Sequence, residues 1–491
     1  MATITQTSRQ PSLELFSKDI LAMMGTASKD VQNSLRDIHN SLVAFKTEEK
    51  NTHSLVKRYS PELAEANKGE VAFLTEQTIQ TLNTISKIKD KALRKEKIDD
   101  LHNEISDPEG DGKVQRLIDG QNARTKEMLK NGVKPFTPQY VSFDKVFCPK
   151  DINVEKLQRA SDNFKVESVS VPLSKNFIDA YALYLALFPR DETDTFPKLM
   201  AFCNKYADGA VTKNSLGERE YTRHIMLAAK DDKGKVVAIG LGVFIAGAEI
   251  NEFYLSHIAV LPEYRKSDVA TLIETSMISE CNKYAKDAEK KLGVSYPLDK
   301  NGNKMMYAVI EIDFPSLRPS EIVDTWGRLI YHGKNGTYII PSMRYLQPDT
   351  TYPDGKAYNE NDYAPVPLLF SVIPVGDRSV IAKTATQLLR SMEESFKALG
   401  NNAEGIEADI KYATEKLNAM DPSAIVPMTH LPRNVEEIKD LIRKLGDADK
   451  ILEDSYSKYP QEASSEEKLS VDNAALLFLA NRGISVHSVV T

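Results

Sequence analysis

The run His257-Ile-Ala-Val-Leu-Pro-Glu-Tyr-Arg-Lys-Ser-Asp-Val-Ala270 joins an apolar stretch to a segment of basic and hydroxyl side chains. The apolar part reads as a strand ending at Val260, a short loop runs through Pro262, and a helix is expected over 265–290. The first turn of a helix leaves backbone N–H groups without intrahelical acceptors, and the helix dipole adds partial positive charge there. Such an end binds anions and suits a diphosphate, and Arg265 and Lys266 add full charges to it. The strand leading in carries Glu252, a charge within an otherwise apolar run over 244–260, together with Tyr254 and His257. An unperturbed imidazole has a pKa suited to proton transfer.

The surrounding patterning places these residues in a mixed fold. Period-two or continuously apolar runs predict strands over 164–171, 224–229, 236–246, 250–260, 306–312, 338–346 and 366–375. Period-3.6 runs predict helices over 176–188, 265–290 and 320–331. Asp231-Asp232-Lys233-Gly234 marks a turn, and Gly247 permits a tight reversal. The order β-α-β-β-β-α-β-α-β-β implies an α/β fold of α+β type, with a mixed, largely antiparallel sheet flanked by helices. Residues 1–155 and 379–491 are helical in texture, giving three expected stretches: 1–155, 156–378 and 379–491. In the first, Leu35, Ile38, Leu42 and Phe45 form one helical face, and Ser60-Pro61 reads as a cap and first turn. In the last, helices are expected over 381–399, 405–420, 435–459 and 472–481.

The pattern Val260-x-Pro262-x-x-Arg265-x-x-x-x-Ala270 resembles the acetyl-CoA motif of the GCN5-related N-acetyltransferase (GNAT) superfamily, whose loop reads Gln/Arg-x-x-Gly-x-Gly/Ala. The run Leu185-Ala-Leu-Phe-Pro-Arg-Asp-Glu192 is similar to the end of that family's first helix pair, and Thr325-Trp-Gly-Arg-Leu-Ile-Tyr331 to its late Tyr-x-x-Leu-Gly-Phe turn. The resemblance covers roughly residues 160–378. It implies an acyltransferase that moves an acetyl group from acetyl-CoA to an amine-bearing small molecule or protein by direct attack, with no covalent enzyme intermediate.

The same resemblance implies roles for particular residues. The backbone of Ile258, Ala259 and Val260 would pair with the pantetheine arm, and the amides of Arg265, Lys266, Ser267, Asp268, Val269, Ala270 and Thr271 would hold the diphosphate. The acceptor amine must lose a proton, which makes Glu252 the expected base, directly or through water, with Tyr254 and His257 as alternatives on its strand and Glu311 and Asp313 on the next. Two positions depart from the family pattern. Asp268 stands where the family has glycine, and its carboxylate could cost a bound diphosphate about 1–4 kcal/mol or, turned to solvent, favour the helix by about 0.3–1 kcal/mol. Trp326 falls where the family often has a tyrosine that protonates the leaving thiolate; indole is no acid near neutral pH, so Tyr331 is the substitute.

Other signals are weaker. The stretch from Asp107 to Lys113 approaches a calcium loop, but position twelve is Ile118, which cannot close it. Gly240-x-Gly242 lacks a third glycine, and Asn301-Gly302 is a hairpin-type turn. No Gly-x-Ser-x-Gly or His-Glu-x-x-His occurs, and the histidines do not fall at ligand spacing, so no metal is expected. The long connection over 333–365, with Arg344, Tyr345, Tyr352 and Tyr358, is expected to shape the acceptor site.

A net charge of −7 offers no basic field for nucleic acid. Cys148, Cys203 and Cys281 have no framework spacing, which suits a reducing compartment, and residues 1–15 lack a secretory apolar region. A cytoplasmic protein without membrane spans is expected, with export as an effector the alternative. The amphipathic terminal helices would pack on the core, or mediate oligomers or a protein partner. A non-catalytic binding protein of the same fold is the rival reading.

Overall fold

The structure, a computed structural model, describes residues 16, 18–107, 112–133, 137–149, 151–189, 192–214, 216–298, 304, 306–347, 366–375, 379–398, 403–446 and 467–482. Five helices come first: α1 (Lys18–Thr26), α2 (Lys29–Tyr59), α3 (Pro61–Ser86), α4 (Lys91–Ser106) and α5 (Lys113–Asn131). Then come β1 (Gln139–Tyr140), α6 (Val154–Asn163), β2 (Lys165–Ser168), α7 (Lys175–Leu187) and α8 (Phe196–Tyr206). Next are β3 (Ala210–Lys213), β4 (Arg219–Lys230), β5 (Val236–Ala246), β6 (Asn251–Val260), α9 (Val269–Leu292), β7 (Met306–Ile312) and α10 (Ile322–Lys334). The chain continues through β8 (Tyr338–Ile339), β9 (Tyr345–Gln347), β10 (Val366–Val375), α11 (Ala382–Ala398), α12 (Ala403–Asn418), β11 (Thr429–His430), α13 (Val435–Leu445) and α14 (Val471–Asn481). The calcium-like loop, Asn301-Gly302, Tyr352 and Tyr358 fall largely or wholly outside the described residues, as do the termini and 447–459 of the expected helix 435–459.

The chain forms two compact units: Met1–Gln139 with Val169–Asn204, and Tyr140–Ser168 with Lys205–Thr491. These differ from the three stretches read from the sequence. The first unit is helical. The expected face of α2 is buried at Leu35, Ile38, Leu42 and Phe45, and the Ser60 hydroxyl caps α3 by accepting from the Leu63 amide at 3.2 Å. Its core also encloses a full ion pair: Arg124 donates to Glu70 at 2.5 Å and to Asn67 at 3.0 and 3.1 Å, and lies 4.5 Å from the Phe196 ring.

The second unit is built on a mixed, largely antiparallel sheet with the path β1-β2-β4-β5-β6-β7-β10-β8-β11, to which β3 adds beside β4 and β9 beside β10. β5 is buried along its whole length. On one face α9 packs close: a Cβ on Gly240 would meet Ile273 and Met277 at 2.5 and 2.6 Å, so glycine is needed for the helix to approach. On the other face Tyr254, Tyr307, Val309, Phe370 and Val372 pack with Leu388, Leu389, Met392 and Phe396 of α11. Burying each leucine there contributes about 1.5–3 kcal/mol, which is why the C-terminal helices belong to the sheet's unit and not to a separate one. A further cluster joins Trp326 and Ile322 of α10 to Ile438 and Ile442 of α13 and Phe478 of α14.

Three boundaries shift from expectation for local reasons. Helix α9 begins at Val269, not 265, because Lys266 and Asp268 have positive φ, 72° and 61°. The strand expected over 338–346 breaks into β8 and β9 around Pro341, which has no N–H to donate to a ladder. β4 outruns its expected 224–229 because it pairs β5 along nearly its full length.

Candidate functional site

β6 and β7 are parallel, and only Glu252 to Leu255 pair with Tyr307 to Ile310. β6 runs on to Val260 with no partner on that side among the described residues, so an interior strand carries an open edge over 256–260. Ser256, His257, Ile258 and Val260 are accordingly half-exposed in the middle of a buried sheet. The parting coincides with a bulge: Leu241 of β5 faces His257 while Gly242 faces Leu255, leaving Ser256 as the extra residue. Its hydroxyl donates to the Leu241 carbonyl at 3.1 Å. Gly242 belongs to the same device, since a Cβ there would meet the Tyr254 carbonyl at 2.5 Å.

Beyond Val260 the chain enters the start of α9. The Tyr264 hydroxyl donates to Asp231 at 2.7 Å and Lys235 pairs with Glu263 at 3.1 Å, which tie the loop to the β4–β5 turn. The amides of Arg265 and Ser267 are already used, donating to the carbonyls of Pro262 and Tyr264. Those of Lys266, Asp268, Val269, Ala270 and Thr271 have no acceptor among the described residues. Four of these five are consecutive, the arrangement that receives an anion, and the exposed Arg265 and Lys266 stand beside them. Two non-glycine residues in the left-handed region within three positions mark stored strain. Asp268 sits where the chain needs that conformation, and Asp tolerates it better than most residues; its side chain is exposed and makes no cap hydrogen bond. This donor set fits a diphosphate held by backbone.

Two polar clusters flank the opening. On β7, Glu311 lies one residue past the last β6–β7 pair and accepts hydrogen bonds from the hydroxyls of Tyr254 and Tyr345, and from Gln347 Nε2 at 3.2 Å. Burial raises its pKa against the lowering by those donors. Tyr254 is fixed edge-on against Phe396, with ring centroids 5.7 Å apart. In the second cluster, Glu274 of α9 accepts from the Tyr331 hydroxyl at 2.8 Å and from Asn335 Nδ2 at 2.9 Å, and the Thr271 hydroxyl is 3.4 Å from Asn335 Oδ1. Burial pushes Glu274 up to about 7, and burial beside that carboxylate pushes the Tyr331 hydroxyl well above 10.

The residues singled out from sequence are therefore dispersed. Tyr254 joins Glu311, His257 lies on the open stretch of β6, and Tyr331 braces the first turns of α9. Glu252 has no exposed surface, and neither carboxylate oxygen has a hydrogen-bond donor among the described residues; burial and the nearby Glu220 raise its pKa well above the usual carboxylate range. Trp326 is a core residue, its Nε1 donating to the Ser316 carbonyl at 2.8 Å. Asp313 pairs with Arg328 at 2.6 Å. Ser256, Glu274 and Gln347 escaped the sequence reading because a bulge and a side-chain cluster leave no local periodic trace. Tyr345 was visible only as one tyrosine in a long connection.

No family model matches the chain, and no curated protein matches it. Among solved structures it is similar to a GNAT-family acetyltransferase from Bacteroides thetaiotaomicron, with 14% identity and a TM-score of 0.26, over 46% of this chain and 94% of that one. So slight a likeness carries no argument, and the functional reading rests on the geometry. Among the described residues no helix is long and apolar enough to cross a membrane, and no group of three His, Cys, Asp or Glu side chains could hold a metal ion.

Proposed function

We propose that this protein is an acyl-CoA-dependent N-acetyltransferase that passes an acetyl group from acetyl-CoA to an amine by direct attack. The observation that carries the reading is the open edge of β6 inside the sheet, continuous with the free amides at the start of α9. The side of β6 that β7 leaves beyond Leu255 can hydrogen-bond an extended, amide-bearing arm as another strand would, and the amides of Lys266 and Asp268 to Thr271 can receive the diphosphate at its end. The bound donor supplies an activated thioester. Glu311, where the strands part, accepts the proton that the attacking amine loses at nitrogen, and the Tyr254 hydroxyl, which donates to Glu311, returns a proton to the departing sulfur. Glu311 stands ahead of Glu252 as base because it is half-exposed at the parting point, whereas Glu252 is enclosed and lies before it on β6.

Calorimetric titration with acetyl-CoA tests the donor site. Binding is expected, and Thr271→Glu, which sets a carboxylate beside the free amides, should weaken it about tenfold. No heat at millimolar donor would overturn the reading. Among amine acceptors screened by mass spectrometry with labelled donor, Glu311→Gln should lower kcat at least about tenfold with donor affinity unchanged.

A further inference from the structure

Helix α9 starts through two left-handed residues and without a side-chain cap, so its first turn depends on support from outside. That support comes from α10. Glu274, buried in the second turn of α9, accepts the Tyr331 hydroxyl and Asn335 Nδ2 on Oε2, and Asn335 turns its Oδ1 to the Thr271 hydroxyl. Asn335 is itself set by its backbone amide, which donates to the carbonyls of Tyr331 and His332 at the end of α10. Three residues span about 4.5 Å of helix, and helical side chains lean toward the N-terminus. The Glu274 carboxylate is therefore directed to the turn whose amides, Asp268 to Thr271, lack acceptors among the described residues.

We propose that Glu274 is a positioning residue for the donor's diphosphate: through Asn335 and Thr271 it fixes the receiving turn, and its own charge opposes the anion. The role rests on reading the start of α9 as the acetyl-CoA site. Two observations carry it beyond helix geometry. Glu274 Oε1 is buried with no donor among the described residues, so its charged form is only half satisfied. Nor does a basic side chain among the described residues pair with it. The titratable group that faces it is Tyr331, and His332, beside that ring, is kept neutral by burial, which pushes it down to about 3. Charged residues of the other elements around α9 engage elsewhere. Asp144 meets Ser279 through its amide, Arg223 lies over Tyr284, Asp287 takes the Tyr221 hydroxyl, and Asp151, beside Gly336, is 3.8 Å from His430. Arg265, Lys266 and Asp268 are exposed at the helix start. A carboxylate at Glu274 and a diphosphate thus draw on the same helix dipole and repel each other. Unit charges on the order of 10 Å apart near a protein surface change an affinity about tenfold.

Burial pushes Glu274 up to about 7, against the hydrogen bonds from Asn335 and Tyr331, so its charge changes near neutrality. A bound diphosphate favours the protonated form. Binding should therefore take up a proton near pH 7, and affinity should fall as pH rises through 7. The test is calorimetry of the full chain with acetyl-CoA, and with inorganic pyrophosphate as the simpler probe. Wild-type affinity should fall about tenfold relative to Glu274→Gln between about pH 6 and 8.5, the ratio cancelling titration of the ligand itself. The glutamine still accepts from Tyr331 and Asn335, whereas Glu274→Ala should weaken binding at every pH. Tyr331→Phe removes a donor that lowers the Glu274 pKa, so it should move the fall to higher pH, and it carries the test should the alanine variant not fold. Parallel pH profiles in wild type and Glu274→Gln, or equal affinity in the glutamine and alanine variants, would overturn the role and leave the donor site standing. No heat with acetyl-CoA at any pH would overturn the donor site, and the role with it.

Discussion

Glu70, on α3 in the helical unit, and Glu252, on β6 in the sheet unit, are both shut away from water, and their surroundings differ in one respect. Glu70 receives the Arg124 guanidinium and the Gln121 amide, and Asn67 takes up the rest of the arginine. Glu252 receives nothing among the described residues. Burial raises both carboxyls, so burial alone does not separate them. The partner does. A satisfied buried pair is part of the packing; a buried acid with no donor carries a desolvation cost that nothing offsets.

The largest effect expected from this contrast is at Glu70. Glu70→Gln leaves the Arg124 charge buried without a counter-ion and should cost about 3–5 kcal/mol in chemical denaturation. Glu252→Gln should move the other way at pH 7.5, raising stability, because it removes a carboxyl whose charged form burial and the nearby Glu220 disfavour. If the two substitutions shift the midpoint in the same direction, the contrast fails.

The pH dependence is the next effect. A carboxyl whose folded pKa is raised binds its proton more tightly when folded, so it favours the fold in acid, and that contribution is lost as pH climbs through 4.5 toward the folded value. For Glu220 the window is 4.5 to about 7, at about 1.4 kcal/mol per pH unit at most. Denaturation midpoints across that window should fall with rising pH, less steeply in Glu220→Gln. The smallest effect is at the strained helix start: Asp268→Gly should gain about 1 kcal/mol in thermal stability by relieving the left-handed aspartate, and should tighten acetyl-CoA binding by removing a nearby negative charge. Weaker binding in that variant would mean that the carboxylate itself takes part in the site.

Much of the architecture was legible because its signals are local. Strands over 236–246, 306–312 and 366–375 fall where apolar runs predicted them, and Ser60-Pro61 begins α3 as its cap chemistry requires. The helices of 381–399, 405–420 and 472–481 lie within two residues of expectation. Elements with weak periodicity went unseen: α6, α8 and the four-residue β3, which leans on β4. The helix start of α9 was read four residues early, since Arg265 to Asp268 carry good helix-forming or capping side chains and only their backbone, with φ of 72° and 61°, departs.

For this chain, residue order alone specified the alternation of strand and helix, the apolar faces, and a basic turn leading into a helix, because each depends on neighbours a few positions apart. Which carboxylates find donors and where β6 leaves β7 were decided by tertiary structure. Glu70 and Arg124 are 54 positions apart, and Tyr254 and Glu311 are 57 apart. Desolvation and pairing act through space, so one glutamate becomes a structural ion pair in one unit and another an unsatisfied acid in the other.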